Sequence, residues 1–254
     1  MRGVTHDYAD QNALMGGGLG GWLATNERIL RGARRLVAPS HDTAARYARR
    51  LGLTGIAVVP HPEAAPAHAA APPRRPRTGA VRVAVVGSLG NHKGFELVVA
   101  LAERAARERR PIAFTLIGSV ADRDRAARVP GLTVTGPYRP DDLPRLLAET
   151  DPDYVFLSSV WPETYSYVLS EAWAAGYPVV ALDIGAPAER IRAEGGGLLL
   201  PFGRDTAALL DALVAARGQL AEVAIPALPA AAPSLAAYEA AIEASAGERA
   251  PDGA

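Results

Sequence analysis

The chain has 254 residues with 27 basic and 27 acidic side chains, so it carries no net charge that would recruit nucleic acid or an acidic membrane surface. It has no cysteine, which excludes disulfides, thiolate catalysis and Cys-rich zinc sites. We find neither an apolar run of about 18 residues that would span a membrane nor the apolar core of a secretory signal, and the expected compartment is therefore the cytoplasm.

Residues 1–59 predict a short strand–helix–strand segment. We expect a glycine cluster at 16–21, a helix at 27–34, a strand at 36–38, a second helix at 41–51 and a second strand at 56–59. Ser40 is suited to cap the second helix, because serine accepts a hydrogen bond from a free helix amide. The segment is too short for a nucleotide-binding domain, and we interpret it as a truncated N-terminal domain.

Residues 60–79 are rich in proline and alanine. Repeated prolines prevent regular structure and favour an extended conformation, so this stretch is predicted to be a linker. Its histidines, His61 and His68, are interpreted as solvated, because no other residue stands at a spacing that would complete a metal site.

Residues 80–220 alternate apolar runs with helical spacing, which predicts a Rossmann-like α/β domain with a doubly wound parallel sheet. The expected strands are 81–87, 113–118, 132–135, 154–158, 178–182 and 197–200. The expected helices are, in chain order, 95–109, a short polar helix after 118, and the helices 140–149, 165–175, 186–193 and 205–217. Residues 221–254 predict a linker, a short helix capped by Ser234 and a disordered tail after Gly247.

The first strand of this domain leads into the loop GSLGNHKG at 87–94. Glycines such as Gly90 let a ligand approach the backbone, and a helix N-terminus offers unpaired amides to an anion. Lys93 is the only lysine of the chain, and it would add a compact positive charge. The loop therefore suits a diphosphate, although it matches neither common phosphate fingerprint; a plain strand-to-helix turn is the alternative.

Two glutamates follow the strand 154–158, Glu163 in the loop and Glu171 on the next helix. A continuous helix would separate their α-carbons by about 12 Å, whereas glycosidase carboxylate pairs lie roughly 5 to 9.5 Å apart. Two carboxylates that each accept hydrogen bonds from hydroxyls of one ligand fit this spacing better than a hydrolytic pair. The alternative is that Glu163 only favours a helix N-terminus and Glu171 is solvated.

The order of these motifs resembles glycosyltransferase family 4, whose members are retaining enzymes of the GT-B fold. The motifs that carry the resemblance are Lys93-Gly94, Glu163 with Glu171-Ala172, GYPVVA at 176–181, and Gly185 with Glu189. The segment 80–220 resembles the C-terminal, donor-binding domain of the family. The upstream segments THDY (5–8), RGARRLVAPSHDTAARYARRLG (31–52) and VVPHPE (58–63) are also similar to the family.

The resemblance implies a role for each matching residue. Lys93 would neutralise the donor diphosphate, Glu171 would hold the ribose hydroxyls, and Glu163 would contact the transferred sugar near the reacting carbon, as the catalytic residue. The remaining donor-side residues would be Gly90 in the phosphate loop, the amides of Tyr165 and Ser166, and Tyr138 near the base. His6 would face the sugar from the acceptor side.

The implied activity is transfer of a glycosyl group, of the hexosyltransferase type, from a nucleotide sugar to an unknown glycan, lipid or protein acceptor. No cofactor and no metal is expected: Asp122 and Asp124 match a metal-binding D-x-D pattern but lie in an arginine-rich stretch, and GT-B enzymes generally need no such metal. Ser88 stands where many relatives have arginine, and His92 is the candidate to compensate for it. Because the N-terminal domain is expected to be truncated, a non-catalytic nucleotide-sugar-binding module, an inactive remnant, and a partner chain that supplies the missing domain all remain open.

Overall fold

The computed structural model describes residues 18–63, 78–203, 205–228 and 234–245. Its contacts divide the chain into two compact units, with a boundary between Pro60 and His61. The described residues of the first unit are 18–60 and 236–245, and those of the second are the remainder. The predicted acceptor-side His6, His68, most of the predicted linker and the predicted tail lie outside the described residues.

The helices and strands of both units follow in chain order. The strands are β1 (Leu36–Ala38), β2 (Ile56–Val58), β3 (Val81–Val86), β4 (Ile112–Ile117), β5 (Leu132–Val134), β6 (Tyr154–Leu157), β7 (Val179–Leu182) and β8 (Gly197–Leu200). The helices are α1 (Gly18–Gly32), α2 (His41–Leu51), α3 (Phe95–Arg107), α4 (Arg123–Ala127), α5 (Leu143–Thr150), α6 (Tyr167–Ala174), α7 (Gly185–Glu194), α8 (Thr206–Leu220) and α9 (Leu235–Ser245). None of the described helices is both long and apolar enough to cross a bilayer.

The first unit contains the predicted strand–helix–strand segment, with β1 and β2 paired in parallel. The predicted N-cap is confirmed: the hydroxyl of Ser40 accepts a hydrogen bond from the amide of Thr43 at 3.2 Å. Helix α1 differs from prediction because it begins at Gly18, inside the glycine cluster. Glycine weakens a helix by about 1 kcal/mol but does not forbid it, and an ion pair of 2.7 Å between Glu27 and Arg31 supports its later turns.

The described part of the second unit is built on a six-stranded parallel sheet with the order β5-β4-β3-β6-β7-β8. The predicted strands are confirmed, and their ends differ from prediction by a residue or two. Strands β3, β4 and β5 progress toward one edge of the sheet, and β6, β7 and β8 progress toward the other. The direction therefore reverses between β3 and β6, and the crevice at the carboxyl ends of these two strands is the preferred ligand position in such sheets.

Both faces of this sheet are covered, which is the arrangement that near-continuous apolar strands predict. On β3, Val83 and Val85 belong to the core layer that contains α3 and α8, whereas Ala84 and Val86 belong to the layer that contains α5 and α6. The α/β class with helices on both faces of a parallel sheet is therefore confirmed, and the packing fixes the strand ends that carry the candidate site.

Candidate functional site

The loop after β3 forms the first wall of the candidate site. A short 3-10 helix, Asn91–Lys93, follows Gly90, whose carbonyl accepts hydrogen bonds from the amides of Lys93 (3.1 Å) and Phe95 (3.3 Å). Gly94 then takes a left-handed conformation with φ of 86°. A β-carbon on Gly94 would lie 2.0 Å from the carbonyl oxygen of Ser158, so only glycine lets this loop approach the end of β6 so closely.

The loops after β3 and β6 are joined by hydrogen bonds. The hydroxyl of Ser158 donates to the carbonyl of Lys93 at 2.8 Å, and the amide of Val160 donates to the carbonyl of His92 at 3.1 Å. These contacts cross the point where the strand order reverses, and they hold the only lysine of the chain against the loop that carries Glu163.

Lys93 and Glu163 form an ion pair, with 2.9 Å between Nζ and Oε1. The lysine side chain is 39% exposed, whereas the glutamate side chain is only 13% exposed. The hydroxyl of Ser159 also donates to Oε1 of Glu163. The glutamate is therefore held in a fixed position by two partners, and the lysine can still reach a ligand from the solvent side.

A glycine at the start of α7 packs against the backbone of Glu163. Gly185, the first residue of α7, has φ of 71°, and a β-carbon there would lie 2.8 Å from the amide nitrogen of Glu163. The amide of Ala186 donates to the carbonyl of Glu163 at 2.9 Å. The sequence identified Gly185 as part of a motif, and the structure gives the physical reason: α7 begins directly against the Glu163 loop.

Helix α6 begins at Tyr167, two residues later than predicted, so the stretch between Glu163 and Glu171 is not a continuous helix. Ser166 precedes it with φ of 85°, which is unusual for a residue other than glycine. Within the described part of the chain, the buried hydroxyl of Ser166 has no hydrogen-bond partner. The first amides of any helix lack partners within the helix, so this N-terminus can receive an anion.

Glu171 and Tyr138 interact electrostatically. Burial raises the pKa of the Glu171 carboxyl above its ordinary value, and the nearby charge of Glu63 raises it further. Burial and the charge of Glu171 together raise the pKa of Tyr138 to about 12. The structure therefore brings Tyr138, predicted near the base, close to Glu171, predicted at the ribose.

The raised pKa of Glu171 predicts how its replacement alters stability. A carboxyl whose pKa is raised by folding stabilises the protein below its unfolded pKa, and this stabilisation is lost as the pH rises through the folded pKa. Glu171→Gln should therefore melt at a higher temperature than the wild type at pH 8. The difference should shrink as the pH falls toward about 4.3, the ordinary pKa of glutamate.

Thermal melts of both proteins between pH 5 and 8 provide the test. Glu103→Gln, at an exposed position of α3, is the matched control and should melt at the wild-type temperature. A Glu171→Gln melting temperature equal to that of the wild type across this range would contradict the burial of a costly charge at Glu171.

The D-x-D stretch has a structural role in this chain. The side chain of Asp122 accepts a hydrogen bond from the amide of Arg125 at 2.8 Å and caps α4. Across the described ranges, no group of three or more histidine, aspartate or glutamate side chains could hold a metal ion. Ser88 is exposed and accepts a hydrogen bond from Ser119 at 2.9 Å, and His92 is also exposed.

Sequence reasoning missed a polar cluster beside α6. Glu63 and Arg190 form an ion pair of 3.3 Å with side chains that are 12% and 11% exposed. His61, predicted to be solvated, is instead half-buried, with its ring against those of Tyr165 and Tyr167. Glu63 stood inside a predicted linker and Arg190 among many other arginines, so no sequence pattern linked the two.

The chain is similar in sequence to a known glycosyltransferase. A curated GDP-mannose-dependent alpha-mannosyltransferase of Mycobacterium tuberculosis is 33% identical over 132 residues, which cover 52% of this chain and 33% of that protein. The chain thus spans about a third of the length of this relative.

Two solved structures share the fold. HepE of Anabaena in complex with UDP-glucose is 19% identical, with a TM-score of 0.56 over 78% of this chain and 62% of HepE. A mutant of S. aureus TarM in complex with Fondaparinux, alpha-GlcNAc-glycerol and UDP is 15% identical, with a TM-score of 0.60 over 91% of this chain and 43% of TarM.

A family model described as "Glycosyl transferases group 1" matches residues 80–217, which is more than half of the chain. The match covers β3 to β8 and both loops that hold the Lys93–Glu163 pair. The chain therefore belongs to the group 1 glycosyl transferases.

Proposed function

We propose that the second unit binds a nucleotide diphosphate sugar and that the protein transfers its glycosyl group to an acceptor hydroxyl. The observation that carries this proposal is the contact of 2.9 Å between Lys93 and Glu163. The pair joins a cation suited to a diphosphate and a carboxylate suited to sugar hydroxyls at the carboxyl ends of β3 and β6, where the strand order reverses.

In this proposal the bound donor lies along the crevice. The diphosphate faces Lys93 and the N-terminus of α6, the sugar contacts Glu163, and the ribose hydroxyls donate to Glu171. Gly90 leaves room for the phosphates, the amides of Tyr165 and Ser166 donate to phosphate oxygens, and Tyr138 lies near the base. The curated relative is named for GDP-mannose and HepE was solved with UDP-glucose, so a nucleotide diphosphate sugar is the donor class that we propose.

The reaction breaks the bond between the anomeric carbon and a diphosphate oxygen, which keeps the electron pair. The acceptor oxygen forms the new bond to that carbon and passes its proton to the departing diphosphate oxygen. Lys93 and the helix amides stabilise the charge that grows on the departing diphosphate, a contribution that depends on donors already fixed in place. On the basis of the family resemblance, we propose that configuration is retained. The acceptor then attacks the anomeric carbon from the same face from which the diphosphate departs.

Nucleoside diphosphate binding tests the assignment of the donor site. Lys93→Met should weaken binding of UDP or GDP by about 10- to 100-fold, since a hydrogen bond to a charged group contributes about 1.5–3 kcal/mol. Glu171→Ala should also weaken binding, because the ribose loses its acceptor. Isothermal titration of UDP and GDP measures both effects.

Arg145→Met is the matched control, because Arg145 is exposed and its pairs with Asp142 and Glu149 lie on α5 and just before it. This variant should bind UDP and GDP with the affinity of the wild type. If Lys93→Met and Glu171→Ala bind with unchanged affinity, the donor site is assigned to the wrong residues.

Turnover separates an enzyme from a binding module. With UDP-glucose and GDP-mannose as donors and a panel of glycans as acceptors, an enzyme releases nucleoside diphosphate and forms a glycoside. Clear donor binding without release on any pair would favour a nucleotide-sugar-binding module, or a chain that needs a partner to supply the acceptor side.

A further inference from the structure

Arg190 on α7 is a buried cation with an unusual set of contacts. Its guanidinium lies 4.7 Å from the ring centre of Tyr165 and 5.3 Å from that of Trp173. Through Nη2 it donates to the hydroxyl of Ser170 at 2.9 Å, and its ion pair with Glu63 is 3.3 Å long. A buried charge is costly unless it is paired and hydrogen-bonded, and these contacts compensate Arg190.

The same guanidinium reaches the strained residue before α6. Nη1 of Arg190 donates to the carbonyl oxygen of Ser166 at 3.3 Å. Ser166 has φ of 85° and ψ of 92°, a conformation that persists in a residue other than glycine only when its surroundings impose it. Its own side chain forms no helix cap, so Arg190 supplies a contact that can impose this conformation.

The segment 61–63 also contacts the start of α6 and the residues just before it. Tyr165 donates to the carbonyl of His61 at 3.2 Å, and the ring of His61 stacks on that of Tyr167 with centres 6.1 Å apart. Glu63 accepts hydrogen bonds from Ser170 and Arg190. Since His61 is the first residue of the second unit, the chain is anchored to the start of α6 immediately after it leaves the first unit.

We propose that Arg190, fixed by Glu63, is a positioning residue that holds Ser166 in its left-handed conformation and thereby aims the first amides of α6 at the donor diphosphate. The inference rests on the proposed function for the diphosphate, but the positioning itself is a property of the ligand-free protein. It assigns the segment 61–63 a part in the donor site, because Glu63 keeps the guanidinium in reach of Ser166.

A simple structural role for the ion pair predicts something different. A structural pair would change stability when broken but would not act through the backbone of Ser166. Glycine at position 166 adopts a positive φ without strain, so it should reduce the need for Arg190. The combination of variants at 190 and 166 therefore distinguishes positioning from general stabilisation.

The test uses the full chain and the double variant Arg190→Met, Glu63→Gln, which leaves no unpaired buried charge. In the ligand-free protein, hydrogen exchange of the peptide 164–173 should be at least tenfold faster than in the wild type. UDP and GDP should bind at least tenfold more weakly, while the melting temperature stays close to that of the wild type. Adding Ser166→Gly to the double variant should reverse, on a logarithmic scale, at least half of the increase in exchange rate and at least half of the loss of affinity for UDP and GDP.

Arg192→Met on the same helix is the matched control, since Arg192 is exposed and pairs with Asp183 at the surface; neither readout should change. Unchanged exchange in the double variant would overturn the positioning role. Faster exchange that Ser166→Gly does not reduce would also overturn it, because Arg190 would then act by another route. A wild type that binds neither UDP nor GDP would contradict the proposed function alone, because the exchange measurement still decides the role of Arg190.

Discussion

Gly94→Ala should lower the melting temperature by roughly 6–12 °C, the fall that about 3 kcal/mol produces in a domain of this size. Two costs combine in this variant. Alanine is strained at the φ of 86° that Gly94 adopts, and its β-carbon would overlap the carbonyl oxygen of Ser158 at 2.0 Å. The β-carbon is fixed to the backbone and meets a backbone oxygen, so no side-chain rotation relieves the clash, and the loop 87–94 must move away from β6. Thermal melts followed by circular dichroism measure the change.

Gly218→Ala is the control for this variant. Gly218 lies in α8, where an added β-carbon would meet no atom within 4 Å, so alanine should stabilise the helix by up to about 1 kcal/mol. Opposite shifts in the two variants would show that the backbone conformation and the close approach at position 94, rather than loss of a glycine as such, govern the effect of Gly94→Ala. A melting temperature of Gly94→Ala equal to that of the wild type would mean that the loop does not need its contact with Ser158.

Glu163→Gln should separate binding from chemistry. In the proposed function this variant lacks the carboxylate that contacts the transferred sugar, so donor turnover should fall by about 100-fold or more, which is typical for removal of one preorganised electrostatic group. UDP and GDP should bind at least as tightly as to the wild type, because Lys93 no longer shares its charge with a carboxylate 2.9 Å away. Release of nucleoside diphosphate from UDP-glucose or GDP-mannose and titration of UDP and GDP measure the two effects.

Glu149→Gln is the control for turnover, since Glu149 is exposed and pairs with Arg145 on the same helix, α5. A Glu163→Gln protein that keeps wild-type turnover would remove Glu163 from the catalytic role. A protein that loses UDP and GDP binding together with turnover would make Glu163 a structural support of Lys93 instead.

Local features of the sequence were sufficient to predict most of the second unit. Buried strands such as β3 appear as short apolar runs, and helices such as α3 have apolar residues at helical spacing, so both could be placed from pattern alone. Because parallel strands end at one edge of the sheet, Lys93 and Glu163 could be predicted at the same edge. Their direct contact could not, since it depends on β6 lying beside β3 with β4 and β5 on the far side.

The contacts of Arg190 lay beyond such reasoning. Arg190 and Glu63 are 127 positions apart, and the pairing of two distant polar residues leaves no periodic pattern in one sequence. The position of Ser166 at the start of a helix could be predicted. Its positive φ could not, because it arises from tertiary contacts that override the preference of serine for a negative φ. The start of helix α1 could not be predicted either. A glycine cluster locally disfavours a helix, but the rest of the helix is stable enough to extend into it.

The pairing of Lys93 with Glu163 also bears on product release. In the proposed function, an intact donor binds Lys93 through its diphosphate and donates its sugar hydroxyls to Glu163, so both charges keep a partner. Once the sugar has been transferred, the nucleoside diphosphate still attracts Lys93 but leaves a carboxylate that is only 13% exposed without a ligand contact. The return of Lys93 to Glu163 would then compete with the bound nucleoside diphosphate, so the proposed site would favour exchange of product for fresh donor.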